Sequence, residues 1–199
     1  MINVSNEFKT LMSERQDFKE YAEVTLANGT VLELTEDDFS IDNNSLVDSA
    51  GANSIPLGVA LSRNVQLEIM NDDDHLSDYD FFGAKIRLYL TFELSSTTEK
   101  IEYGTFTVTQ PENYGNVVTI VGYDDMYKSD KAYSTSLTFP ATAKNVLIDA
   151  CTTCGILIGD SNFLHNDFQI PSMPSDEYTF RQIIGFISMI ACGNARIDR

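Results

Sequence analysis

The sequence has no tryptophan, two histidines, three cysteines and only 13 basic residues against 30 acidic ones. Each shortage removes a class of function. Gripping nucleic acid needs clustered lysine and arginine, as does holding an anionic membrane surface, and a net charge of −17 works against both. Three cysteines are too few to staple a disulfide scaffold, so the chain reads as folded in a reducing cytoplasm. The lack of tryptophan weakens a carbohydrate platform, which needs an exposed aromatic cluster beside polar groups on one face. No apolar run is long enough to span a bilayer as a helix, and the opening stretch, MINVSNEFKTLMSER, reads as mixed in polarity without a signal-peptide core. There is no Gly-rich phosphate loop, no G-x-S-x-G, no H-E-x-x-H and no repeat of solenoid period.

What is present supports a packed interior, with 43% hydrophobic and 22% charged residues. The expected fold is mainly β (α+β): an antiparallel β-barrel or sandwich over residues 1–130, then a smaller α/β module over residues 131–199. The organising stretch is EKIEYGTFTVTQPENYGNVVTIVGYDDMYKSDK, Glu99 to Lys131. Ile101, Tyr103, Thr105 and Thr107 alternate with Glu102, Gly104, Phe106 and Val108 at strand period. Pro111 to Asn116 supplies a turn, and Val117 to Tyr123 a buried partner strand.

Upstream, Ser5 to Arg15 reads as a short helix with Phe8, Leu11 and Met12 on one face. Tyr21–Leu26 and Thr30–Leu34 form a hairpin around Asn28-Gly29, where a two-residue turn places both central positions at positive φ. Ser45–Ser49 is a weak strand and Ala50–Asn53 a loop. Ile55–Ala60 and Val65–Met70 are the next strand pair. Lys85–Leu94 is a long strand with Ile86, Leu88, Leu90 and Phe92 inward and Lys85, Arg87, Tyr89 and Thr91 outward. Residues 20–123 thus hold about seven strands.

After Tyr123 the period becomes helical. Ala143, Val146, Leu147, Ala150, Cys151 and Cys154 stripe a helix over Pro140–Gly155, closed by Gly155 as a left-handed cap. Ile156–Ile158 is a short strand and Ser161–Ser175 a polar connection. Thr179 and Gln182 form a capping box, with Tyr178 and Ile183 as the hydrophobic staple. Phe180, Ile183, Ile184, Ile187 and Ala191 make the buried stripe, which Phe186, Met189 and Ile190 widen, so this helix is expected to be covered on more than one side, with Gly193 ending it. Ala195–Asp198 then opens a strand with no evident partner, and the sequence is expected to be the N-terminal part of a longer protein.

Three constellations could carry chemistry. Cys151-Thr-Thr-Cys154 has the spacing of half a zinc site or a redox pair. Only Cys192, His75 and His165 remain as partners, and a position near a helix C-terminus disfavours thiolate, so buried core cysteines are the better reading. Asp72-Asp73-Asp74-His75, with Asp78 and Asp80, could hold Ca²⁺ but lacks the EF-hand's turn glycine and closing glutamate, which favours a solvated loop. Asp124-Asp125 could be an acid/base pair, but capping of a short helix over Met126–Asp130 explains it more simply. No catalytic, cofactor-binding or metal residue is assigned, and no cofactor is implied.

The order of features resembles the N-terminal part of siphophage and prophage tail proteins of the baseplate-hub, or tail-associated-lysin, type. The likeness lies in the Asn28-Gly29 hairpin, in the Gly104-centred strand leading through IVGYDDMYKSDK, and in TFRQIIGFISMIACGNARID. It implies a homotrimeric hub closing the tail tube and passing DNA, at the tail tip of a virion made in the bacterial cytoplasm. It also implies contacts with the distal tail protein and the tape-measure protein, and places any lytic activity further C-terminal, so that this part is not an enzyme. The alternatives are a carbohydrate- or receptor-binding β-domain of a virion protein and a cell-wall hydrolase, which needs carboxylates or a metal set converging in a cleft.

Overall fold

The structure, a computed structural model, describes residues 4–13, 18–40, 44–49, 56–94, 97–173 and 177–198. The loop expected at Ala50–Asn53 and the start of the strand expected at Ile55 lie outside these residues, as do the side chains of Leu11, Met12 and residues 111–114. The chain forms two compact units: Met1–Ser45 with Val65–Gly122 and Arg199, and Leu46–Asn64 with Tyr123–Asp198.

Seven strands, β1 (Lys19–Thr25), β2 (Val31–Leu34), β3 (Ser45–Ser49), β4 (Ser62–Met70), β5 (Lys85–Glu93), β6 (Thr98–Tyr114) and β7 (Val117–Tyr123), make one antiparallel sheet. Its order is β2-β1-β5-β6-β7-β4-β3. The mainly β expectation and the strand number hold. The sheet is open, with β2 and β3 at its ends, so the barrel alternative is not formed; closure requires the end strands to pair.

In the first unit, β1 meets β2 through Ala22↔Leu34 to Thr25↔Val31. The connecting turn is wider than a two-residue one. Gly29 donates to the Leu26 carbonyl at 2.9 Å and Leu26 to that of Thr30 at 2.8 Å, and only Gly29, at φ 87°, is left-handed. This is a type I turn closed by a glycine bulge. α1 (Asn6–Ser13) is capped by Ser5, whose hydroxyl accepts from Phe8 N–H at 3.0 Å. The Phe8 ring meets Phe92 edge-on at 4.5 Å and packs with Ile101.

The alternation expected along β6 breaks in the middle. Ile101 is buried before the break, and Gly104, Phe106 and Val108 after it. The ladder to β5 slips between Leu88 and Tyr89, so that Leu88 faces Gly104 and Tyr89 faces Glu102. The extra residue, Tyr103, is a bulge that flips the inward parity from odd to even. The turn after β6 is also shorter than expected. The strand runs to Tyr114 and only Gly115-Asn116 turn. Beyond Val108, β6 has outrun the end of β5, so Pro111 forfeits no ladder bond on that side.

The second unit holds α2 (Ala143–Cys154), α3 (Phe180–Ile190) and a two-stranded ribbon of β8 (Ala141–Thr142) and β9 (Gln169–Ile170). The ribbon replaces the strand expected at Ile156–Ile158, which is irregular, and interrupts the connection expected over Ser161–Ser175. Gly155 caps α2 at φ 67°. The α3 capping box forms, with Gln182 N–H donating to Thr179 Oγ1 at 3.2 Å and Thr179 N–H to Gln182 Oε1 at 2.9 Å. At the other end the left-handed residue is Cys192, at φ 56°, rather than Gly193. Cys192 N–H bonds to the Met189 carbonyl and Gly193 N–H to that of Ser188, a Schellman closure with glycine one place beyond its usual seat. Phe180, Ile183, Ile184 and Ile187 are buried as expected, but Phe186 and Met189 stand 38% and 51% exposed, so α3 is not covered on that side.

The strand expected at Ile55–Ala60 is replaced by a turn at Leu57-Gly58 and a single bridge residue, Ala60. Ala60 pairs in parallel with Ala195: Leu61 N–H donates to the Ala195 carbonyl at 2.8 Å, and Ala195 N–H to that of Val59 at 3.0 Å. The segment at Ala195 therefore has a partner within its own unit.

Candidate functional site

Asp124 and Asp125 divide rather than cooperate. Asp124 ends β7 and is buried, at 3% exposure. Its Oδ1 accepts from the Ser62 hydroxyl at 3.0 Å and Met126 N–H at 3.1 Å, and its Oδ2 from Arg63 N–H at 2.9 Å. Burial pushes its carboxyl above the usual range, against the pull of these donors. Asp125 turns outward to Lys128 Nζ at 2.7 Å. A 3₁₀ turn over Asp125–Ser129 follows, with Asp124 as its cap, so the pair is one structural pin and one surface ion pair.

Cys151 and Cys154 both lie buried on α2, and Cys192 is exposed. Burial pushes the Cys151 thiol up to about 11 and raises that of Cys154 as well, which leaves both protonated and unreactive near neutral pH.

Three of the five acids of the 72–80 loop, Asp73, Asp74 and Asp80, are engaged locally. Asp73 pairs with the His75 imidazole, whose hydrogen bond holds the Asp73 carboxyl below its usual range. Asp74, left-handed at φ 63°, accepts from the Ser77 hydroxyl, and Asp80 from Phe82 N–H at 2.9 Å. The loop is anchored by Asn71, whose amide bridges Leu76 N–H at 2.7 Å and the Gly115 carbonyl at 2.9 Å. Among the described residues no group of three His, Cys, Asp or Glu side chains could hold a metal ion.

Register creates one cluster that the sequence did not reveal. Tyr21 lies opposite Tyr89 in the β1–β5 ladder, with ring centroids 5.8 Å apart. Lys100 Nζ sits 3.7 Å from the Tyr21 ring centre, and the Arg87 guanidinium 5.5 Å from that of Tyr89. Arg87 also reaches Glu102 at 3.0 Å and Glu23 at 3.7 Å. Tyr89 points outward as expected, yet these neighbours bury it to 8% exposure. Burial first, and the surrounding glutamates next, push the Tyr21 phenol up. For Tyr89, burial raises the phenol while Arg87 opposes it. An aromatic pair beside polar groups does exist on one face, but cations already occupy it.

Charge is unevenly divided. The first unit carries 20 acidic against 7 basic residues, a balance of −13, and the second 10 against 6, a balance of −4. No helix among the described residues is long and apolar enough to cross a membrane.

No protein-family model and no curated protein matches the chain. Among solved structures it is similar to a chain of the virion of a native gene transfer agent particle. The TM-score is 0.45 and the identity 12%, covering 70% of this chain and 50% of that one. The chain thus spans about half the length of the chain it matches.

Proposed function

We propose that the chain is a structural protein of a phage or prophage virion, part of a baseplate hub that closes the tail tube at its tip and passes DNA. The observation that carries this reading is the concentration of acid on the sheet-bearing unit, 20 acidic against 7 basic residues. A conduit for DNA functions best with walls to which phosphates do not adhere. The chemically capable groups add support in a negative sense: the buried thiols are protonated, Asp124 is pinned by three donors, and three of the loop aspartates, Asp73, Asp74 and Asp80, are each held by a local partner. In this reading the chain is not an enzyme. It assembles as a homotrimer against the distal tail protein and the tape-measure protein, with acids outnumbering bases on the channel wall. A carbohydrate platform has less support, because Lys100 lies over the Tyr21 ring where a sugar would stack.

The test is immunogold labelling of particles purified from the producing bacterium, with mass spectrometry of the same preparation. Label confined to one end of the tail is the expected result. Complete particles without the chain, or an assembled ring with a basic channel, would overturn the proposal.

A further inference from the structure

Charge and exposed apolar surface are segregated. Of the eleven large apolar side chains that stand exposed among the described residues, seven belong to the second unit, which carries −4 of the −17 charges. Within it, Phe186 and Met189 lie one turn apart on the outer side of α3, and Leu57, 55% exposed, sits beside them through Gly58. The Tyr178 ring meets Phe186 edge-on at 5.2 Å and fixes it in place. Arg181 is the one charged residue of α3, and its Nε lies 2.9 Å from an Asp130 carboxylate oxygen.

We propose that this face of α3, with Leu57, is a self-association surface whose occupant is a second copy of the chain. The proposal goes beyond the assembly reading above: a face that meets its own copy pairs chains about a two-fold axis, separate from the threefold contacts of the homotrimer. Two copies carrying −13 on their first units repel one another there, whereas an isologous contact through α3 sets one uncharged face against another. The face is also preorganised. The Leu57–Ala60 backbone is tied to Gly193, Asn194 and Ala195 by hydrogen bonds, so little freedom is lost on contact. Three such side chains expose on the order of 300 Å² per copy, well short of the roughly 800 Å² per partner of a stable complex. The contact is therefore weak in the isolated chain and strengthens only within an assembly.

Sedimentation of the purified full chain across rising concentration tests this. We expect reversible self-association that tightens as salt rises from about 0.05 M to about 0.5 M, because screening relieves the repulsion between first units. Met189→Glu should weaken it at least about tenfold, while Leu157→Glu, which adds the same charge at a site 94% exposed in the 156–158 segment, should leave it unchanged. Circular dichroism checks that both variants fold. Purely monomeric behaviour at all concentrations, association that weakens with salt, or equal effects of the two variants would each overturn the proposal. None of these outcomes bears on whether the chain is found in particles, so the two readings fail separately.

Discussion

Gly58 offers a sharp test of the second unit. It is left-handed, at φ 80°, and a Cβ built on it would lie 2.6 Å from Met189 Cβ, 3.0 Å from Met189 Cε and 3.2 Å from the Gly185 carbonyl oxygen. The first of these atoms is fixed to the helix backbone and cannot swing aside. Gly58→Ala therefore meets two costs, about 1–2 kcal/mol for a left-handed side chain and about 1–3 kcal/mol for overpacking. The reduced freedom of the unfolded chain offsets them by about 0.4–1 kcal/mol. The net expectation is a loss of about 1–4.5 kcal/mol, centred near 3. Gly155→Ala is the control within the same unit: it shares the left-handed backbone, at φ 67°, but nothing lies within 4 Å of its Cβ. It should cost only about 0–1.5 kcal/mol, the left-handed cost less the same offset. Urea unfolding followed by the helical band of far-UV circular dichroism compares them, since α2 and α3 both belong to this unit. Losses within about 0.5 kcal/mol of each other would show that the Gly58 segment does not press on α3, and the packing argument would fail.

Two further predictions follow from buried groups. Asp124 has a folded-state pKa above its unfolded value. The folded chain thus holds the proton longer, and wild-type stability should fall as pH rises from the unfolded value through the raised one, then level off. In Asp124→Asn this component of the pH dependence should vanish, so subtracting one stability–pH curve from the other isolates it; parallel curves would contradict the burial. Of the three thiols, only Cys192 is exposed, so a thiol reagent near pH 8 should titrate one per native chain and three after denaturation, and rapid modification of a second thiol would contradict the placement of α2.

Local signals carried well into the fold. Thr179 with Gln182, Gly155 and Asp124 specify caps through residues three or fewer positions away, and all three caps form. The failures are nonlocal or turn on a single inserted residue. Tyr103 displaces the β6 ladder by one place and reverses which side chains face inward, and the only local hint was a glycine, Gly104, within a strand pattern. Ala195 lacked a partner in the sequence reading because its partner lies 135 residues upstream, in a stretch with no strand periodicity. The exposed side of α3 read as buried because composition cannot distinguish an apolar face that is covered from one left open. Likewise the Tyr21–Tyr89 cluster depends wholly on register.

The route of the chain through the second unit sets an order of events during synthesis. Residues 58–63 leave the ribosome early, but the groups that secure them, Asp124 at Ser62 and Arg63 and later Ala195 at Val59 and Leu61, follow by some sixty and then 135 residues. For most of translation this segment must wait, its backbone donors satisfied by water, until the last helix has emerged. A ribosome stalled after residue 123 would leave it stranded, so shortened versions of the protein that end near there should be prone to aggregate even though every strand of the sheet has been made.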